Sequence, residues 1–215
     1  MHNVVKLLDR VSQRYYPSRM LTFEPAHIFK VLQLLDTNAK TSRATLILKL
    51  GLGEGSIKTL VKHLKMENLI STTNAGMTLT SKGTALYSKI KAAIPAETEI
   101  DQSYISFGRA NHAVLVRGIS DEVGSGILQR DAAIKMGALG ASTIVFQDGR
   151  LFTSDNRHGS PISDSALTGT LIERMHPQDG DVIIIASAND PKVADLAAKR
   201  AALETVSAHE KHVVH

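Results

Sequence analysis

Apolar residues recur every three to four positions through the first 94 residues, the signature of amphipathic helices. In residues 1–16 the stripe is Val4, Leu7, Leu8, Val11 and Tyr15, and Tyr16-Pro17-Ser18 should end the helix because proline restricts its predecessor. A second helix opens near Glu24-Pro25, carries Ile28, Val31, Leu32 and Leu35 on one side, and closes at Asp36-Thr37-Asn38. A third starts at Thr41-Ser42, runs through Ala44, Ile47, Leu48 and Leu50, and stops at a left-handed Gly51. Gly51-Leu52-Gly53-Glu54-Gly55 then reads as a tight corner with Leu52 as a buried plug. The helix after it, about 54–67, places Ile57, Leu60, Val61 and Leu64 on one face. Two short strands, 69–73 and 77–80, flank Asn74-Ala75-Gly76 as a hairpin, and a last helix runs from 80 to 94.

Past residue 107 the rhythm changes. Residues 95–107 read as a connector with one short strand at 104–107. Strands follow at 112–117, 142–147, 150–153 and 180–187, with helices at about 126–138, 164–175 and 191–206. The order βαββαβα fits a split βαβ or ferredoxin-like layout with one extra helix. The chain therefore divides into an amphipathic arm (1–22), a helical domain with a β-hairpin (23–94), a linker (95–107), an α/β (α+β) domain (108–206) and a tail (207–215).

Composition narrows the function classes. The 215 residues include no cysteine, which excludes disulfides, thiolate metal sites and a cysteine nucleophile. Aromatic residues make up 4% with no tryptophan, too few for a base-stacking surface on single strands. No apolar run approaches a bilayer span and the N-terminus lacks a secretory layout, so the expected compartment is the cytoplasm, with no membrane partner. Charge is uneven. Residues 1–100 hold 14 Lys+Arg against 7 Asp+Glu, a net of +7, and the remainder holds 11 against 14, a net of −3. A basic half is what a phosphate-binding surface needs, since affinity for duplex DNA comes largely from counterion release by Lys and Arg.

The ordered set of helix, helix, glycine corner, helix, hairpin and helix within residues 23–94 is the arrangement that holds a helix in a major groove. On the helix at 54–67, Lys58, Thr59 and Lys62 suit groove contacts, with His63 beside them, while Lys65 and Arg43 suit flanking phosphates. Gly55 and Ser56 would let backbone N–H groups approach a phosphate at the helix start. Thr73 and Asn74 occupy the small, polar hairpin tip. The run TLILKLGLGEGSIKTLVKHLKMENLISTTNAGMTLTSKGTAL resembles the winged helix-turn-helix of prokaryotic regulators, with the central glycolytic genes regulator type as its nearest echo; Leu79-Thr80-x-Lys82-Gly83 is a recurrent mark of such domains. That resemblance implies a transcriptional regulator that binds double-stranded DNA. The helix has no arginine, which puts base readout on lysine, threonine, histidine and DNA shape.

The segments GILQRDAAIKMGALGASTIVFQDGRL (126–151) and DGDVIIIAS (179–187) resemble an uncharacterised domain found in archaeal proteins behind such a winged helix, which lends no ligand. From the residues themselves, Arg130 and Asp131 fall on the apolar stripe of Ile127 and Ile134. Charges there are costly unless paired or serving a ligand. The functional reading makes Arg130 and Asp131 part of a ligand site in which Arg130, with Gln129 or Arg117, holds a small acidic metabolite; an internal Arg–Asp or strand-to-helix ion pair is the structural alternative. Ser125, in the Gly124-Ser125-Gly126 turn, belongs to an anion site at the helix start or to a flexible turn. No nucleophile–base order, cofactor motif or metal set is expected, and the three histidines 209, 212 and 215 read as a frayed tail. A homodimer is expected, since one recognition helix reads few base pairs. Two rivals stand beside the regulator: a winged-helix module for protein contacts in the transcription machinery, and a metabolite enzyme tethered to nucleic acid.

Overall fold

The computed structural model describes residues 4–12, 21–38, 40–154 and 159–212; Tyr15 and the predicted stop after it lie outside them. Two compact units divide at Ile90/Lys91, near the C-terminal end of a helix. No helix among the described residues is long and apolar enough to cross a membrane.

The first unit contains α1 (Val4–Val11), α2 (Pro25–Thr37), α3 (Arg43–Leu50), α4 (Glu54–Met66), the antiparallel hairpin β1 (Ile70–Thr73) and β2 (Gly76–Leu79), and most of α5 (Ser81–Ala93). Its core is built by Val5, Leu8 and Val11 of α1, the predicted stripe of α2, and Ile57, Leu60, Val61 and Leu64 of α4. Ser42 caps α3 by accepting from the Thr45 N–H at 3.1 Å, and Gly51 ends it at φ 67°. The predicted stripe of α3 holds only at Leu50 and in part at Ile47. Leu46 and Leu50 are buried, while Ala44 and Leu48 face out, Leu48 being 67% exposed. In two turns spelled RATLILKL several apolar faces are available, and only packing chooses between them. Leu52 is half-buried, so Leu50 rather than Leu52 fills the corner.

Thr41 adds a short bridge to the hairpin. Its N–H donates to Met77 O at 3.2 Å and its carbonyl accepts from Met77 N at 2.9 Å, which ties the α2–α3 connection to β2. The Leu79-Thr80-x-Lys82-Gly83 step has a direct physical account. The Thr80 hydroxyl donates to Asn68 O (2.6 Å) and accepts from Gly83 N–H (3.1 Å), while Lys82 Nζ donates to Glu67 O (2.7 Å). Gly83 is obligatory because a Cβ there would stand 2.0 Å from Leu69 O.

The start of α2 holds a buried histidine. His27 Nδ1 accepts from the Glu24 N–H at 3.0 Å, the part usually taken by Glu or Gln at the third helical position. Burial, opposed in part by the backbone contact at Glu24, lowers its pKa from 6.5 to about 4. The folded imidazole thus stays neutral where the unfolded one takes up a proton, so stability falls as the pH drops from about 6.5 towards 4, by up to roughly 3 kcal/mol. Urea unfolding across this range should show that loss, and His27→Gln, which keeps an acceptor without the titration, should flatten it. Parallel profiles for the two proteins would remove His27 as the cause.

The second unit is a five-stranded antiparallel sheet with helices on both faces. Its elements are β3 (Ala96–Ile100), β4 (Ala110–Val116), α6 (Ile127–Lys135), β5 (Gly140–Gln147), β6 (Arg150–Thr153), α7 (Ser165–Met175), β7 (Val182–Ala188) and α8 (Pro191–His212), with strand order β3-β4-β7-β5-β6. The predicted linker therefore contains a strand, β3, and the expected strand at 104–107 is a turn. The cause is visible in AETEI: on an edge strand with a single fully buried residue, the acids read as surface. The expected tail is helical through His212, and 213–215 lie outside the described residues.

The β4–α6–β5 and β6–α7–β7 crossovers each span an intervening antiparallel strand, as a split βαβ requires, but the layout is not ferredoxin-like. β7 (VIIIASA), buried along its whole length, takes the centre of the sheet and needs cover on both faces. Helices α6 and α8 supply one cover, packed against each other. On the other face, Leu167, Leu171 and Met175 of α7 pack on Ala113, Leu115, Ile144, Ile183 and Ile185. The β6 edge is covered by backbone and the β3 edge is touched by one side chain. Thr153 N donates to Ser160 O and Ile162 N to Leu151 O, each at 2.9 Å, which lays residues 160–162 along β6. On β3, Arg174 donates to Thr98 Oγ1 and Glu99 O, both at 3.3 Å.

Candidate nucleic-acid interface

Helix α4 starts at Gly53, whose extended backbone turns the chain out of the corner, and it divides cleanly into two sides. Ile57, Leu60, Val61 and Leu64 are buried; Gly55, Lys58, Lys62 and Lys65 are exposed, with Ser56 and Thr59 half-buried. Arg43 in the first turn of α3 is exposed too, as are Thr73 and Asn74 at the hairpin tip. Of the ten predicted DNA-contacting residues, nine thus keep surface to offer. The tenth, His63, is buried: its Nδ1 meets Val11 O at 2.8 Å, and its ring stands edge-on to Phe23 at 5.4 Å. Its three- and four-residue spacing from Leu60 and Thr59 sets it against α1, so it is a core residue and no readout group.

Not every exposed cation is free. Lys58 Nζ lies 2.8 Å from Glu54, one turn earlier, and this hydrogen bond and charge hold the Glu54 carboxyl below its usual range. Arg10 and Lys82 meet Glu67 at 2.6 and 3.6 Å. Ser56 accepts from the Thr22 hydroxyl at 2.6 Å, and Thr59 turns its hydroxyl back to Gly55 O at 3.0 Å. Such surface pairs are weak and yield to a phosphate.

The candidates of the second unit part company. Arg117 is committed, with its guanidinium 2.5 Å from Asp181, a buried carboxylate that also accepts from Gly118 N (3.0 Å) and Gln178 N (2.8 Å). Gln129 is buried against α8, where Nε2 donates to Thr205 at 3.1 Å. Arg130 and Asp131 pair with each other at 3.1 Å on the surface, so neither sits on a packing face. The predicted stripe of α6 is inverted: Ile127 and Ile134 are 53% and 46% exposed, while Gln129, Ala132 and Ala133 pack inward. Close approach to the alanine-lined side of α8 (Ala197, Ala198, Ala201 and Ala202) selects the small residues, which periodicity cannot anticipate. Only Ser125 and Arg130 come together, on the wall of a cleft of about 210 Å³ at the start of α6.

Sequence reasoning missed a buried ionic cluster. Lys199 of α8 is wholly buried with Nζ against Asp195 and 2.5 Å from Glu97 on β3; His112 Nε2 on β4 stands 3.6 and 3.5 Å from the two carboxylates. Burial works to raise the Glu97 carboxyl, but His112 and Lys199 more than offset it and hold it low. Glu97, His112 and Asp195 have the composition of a metal site, yet the ammonium of Lys199 already bonds both carboxylates. The available signal was one lysine four residues after an aspartate within an alanine-rich run.

Residues 26–94 match the family described as the CggR N-terminal DNA binding domain, and residues 107–206 match a domain of unknown function, DUF4443. Among solved structures, a hypothetical protein from Pyrococcus horikoshii OT3 is similar at a TM-score of 0.67 and 25% identity, over 82% of this chain and 89% of that one. No curated protein matches the chain. The first unit is thus similar to a DNA-binding domain of a regulator, joined to a sheet domain.

Proposed function

We propose that the protein is a DNA-binding transcriptional regulator of the winged helix-turn-helix type, acting in the cytoplasm as a homodimer and without enzymatic activity. Helix α4 enters the major groove and the β1–β2 hairpin lies along the neighbouring backbone. Arg43 and Lys65 hold flanking phosphates, and the second unit senses a small ligand or assembles the dimer. One observation carries the reading: within a segment that matches a DNA-binding family, α4 buries its apolar side completely and leaves Lys58, Lys62 and Lys65 exposed.

The test is duplex binding as a function of salt. Each phosphate contact contributes about −0.9 to the slope of log affinity against log salt, so Arg43→Ala and Lys65→Ala should each flatten it by about one, while Lys58→Ala and Lys62→Ala should weaken discrimination between duplex sequences. A protein-contact module is the second reading, favoured by the exposed Leu48 and Met66 on α3 and α4. It predicts no salt-dependent duplex binding, and affinity for a protein partner that is lost in Leu48→Ser.

A further inference from the structure

We propose that the cleft at the start of α6 binds an oxyanion, the phosphate or carboxylate of a small metabolite, held by the first amides of α6, the Arg130 guanidinium and the Thr143 hydroxyl. The inference rests on the sensing role of the second unit and gives it a chemistry.

Three independent features converge on this spot. The N-terminus of α6, a nine-residue helix, has no side-chain cap, and its capping residue is Gly126 at φ 74°. Uncapped first-turn N–H groups and the helix dipole favour a bound anion. Thr143 on β5 lines the same cleft, is 7% exposed, and its hydroxyl has no hydrogen-bond partner. A buried hydroxyl without a partner is costly, and one beside an uncapped helix start is explained by a ligand that supplies the missing bond. That hydroxyl points at the capping loop: its Oγ1 lies 2.9 Å from where a Cβ on Gly126 would sit, so glycine keeps the approach open. The third feature is charge. Arg130 is the one charged residue on the described wall, which otherwise carries Ser125, Ser142, Thr153 and Ser154 and no carboxylate. Its present partner is the adjacent Asp131, in an exposed pair that exchanges readily for a ligand. Ser154 donates to Gly124 O, which occupies a carbonyl lone pair that would otherwise repel an anion.

The decisive experiment is thermal unfolding and titration calorimetry of the full chain with inorganic phosphate and, separately, acetate, against chloride at equal ionic strength. Wild type should show a saturable rise in melting temperature with at least one of the two anions, and the one that acts identifies the source. Arg130→Gln and Thr143→Val should each weaken that anion at least ten-fold. Thr143→Val should in addition melt a few degrees higher than wild type without anion, because it removes the unpartnered hydroxyl at constant shape. No saturable shift with either anion, or equal shifts in all three proteins, overturns the proposal. Duplex binding in chloride, measured on the same proteins, tests the regulator reading independently, since none of these variants touches α4.

Discussion

Lys199→Met is expected to destabilise the second unit by about 3–5 kcal/mol at neutral pH, the loss typical of removing one partner from a buried ion pair. The magnitude follows from what remains. Glu97 and Asp195 would share a site from which the wholly buried ammonium of Lys199 has been taken, leaving only His112 Nε2 at 3.6 and 3.5 Å beside them. The pH dependence gives the diagnostic. In the native protein Glu97 is held below its usual range, so its contribution is present above the ordinary carboxylate pKa and is lost on acidification. In the variant, only His112 opposes burial, so Glu97 is held down less than in wild type and the variant loses less stability on acidification. The gap between the two stability curves in guanidinium unfolding should narrow only as the pH falls below the ordinary carboxylate pKa. Neutralising the acids as well (Glu97→Gln with Asp195→Asn) should recover much of the loss. A variant within 1 kcal/mol of wild type at pH 7 would mean that water or His112 already balances the acids.

Gly83→Ala is the second large effect, and its sign runs against helix propensity. Alanine in a helix is ordinarily about 1 kcal/mol better than glycine. At Gly83 the new methyl would meet the Leu69 carbonyl at 2.0 Å and Leu79 Cδ2 at 3.2 Å, and a backbone oxygen fixed in the hairpin cannot swing away. Relief requires α5 to lift from the hairpin, breaking the Thr80 bonds to Asn68 and Gly83; a loss of about 3 kcal/mol or more is expected. Gly169 in α7 serves as the control, since nothing lies within 4 Å of its added Cβ and alanine there should stabilise by about 0.5–1 kcal/mol. Thermal melts of the two variants should move in opposite directions; a neutral Gly83→Ala would show that the α5–hairpin approach is looser than described.

Much of the first unit was legible because its elements carry their own signals. Ser42 and Gly51 punctuate α3, Pro25 opens α2, and the α4 stripe has the only spacing that buries four large residues together. What failed there depended on the third dimension: Leu48 and Leu46 are interchangeable by period, and His63 differs from Lys62 only in which neighbour its side of the helix meets. The second unit was harder for the same reason, more often applied. Strand order is a long-range property, so AETEI, written like a loop, became an edge strand, and α6, written with isoleucines on one side, turned its alanines inward. Of the ligand candidates, Arg130 and Ser125 line one cleft through local proximity, whereas Thr143 lines it from a strand that sequence spacing never links to α6.

The state of the two sheet borders also limits how copies of this chain can meet. Glu99 charges one border, where Arg174 reaches its carbonyl, and residues 160–162 lie along the other. Extension of the sheet from molecule to molecule is therefore blocked along β6 and hindered by charge at β3, which disfavours fibrous self-association from the native state. Under the homodimer proposed above, the contact falls most readily on helical or loop surfaces, where single substitutions can separate the subunits without unravelling either one.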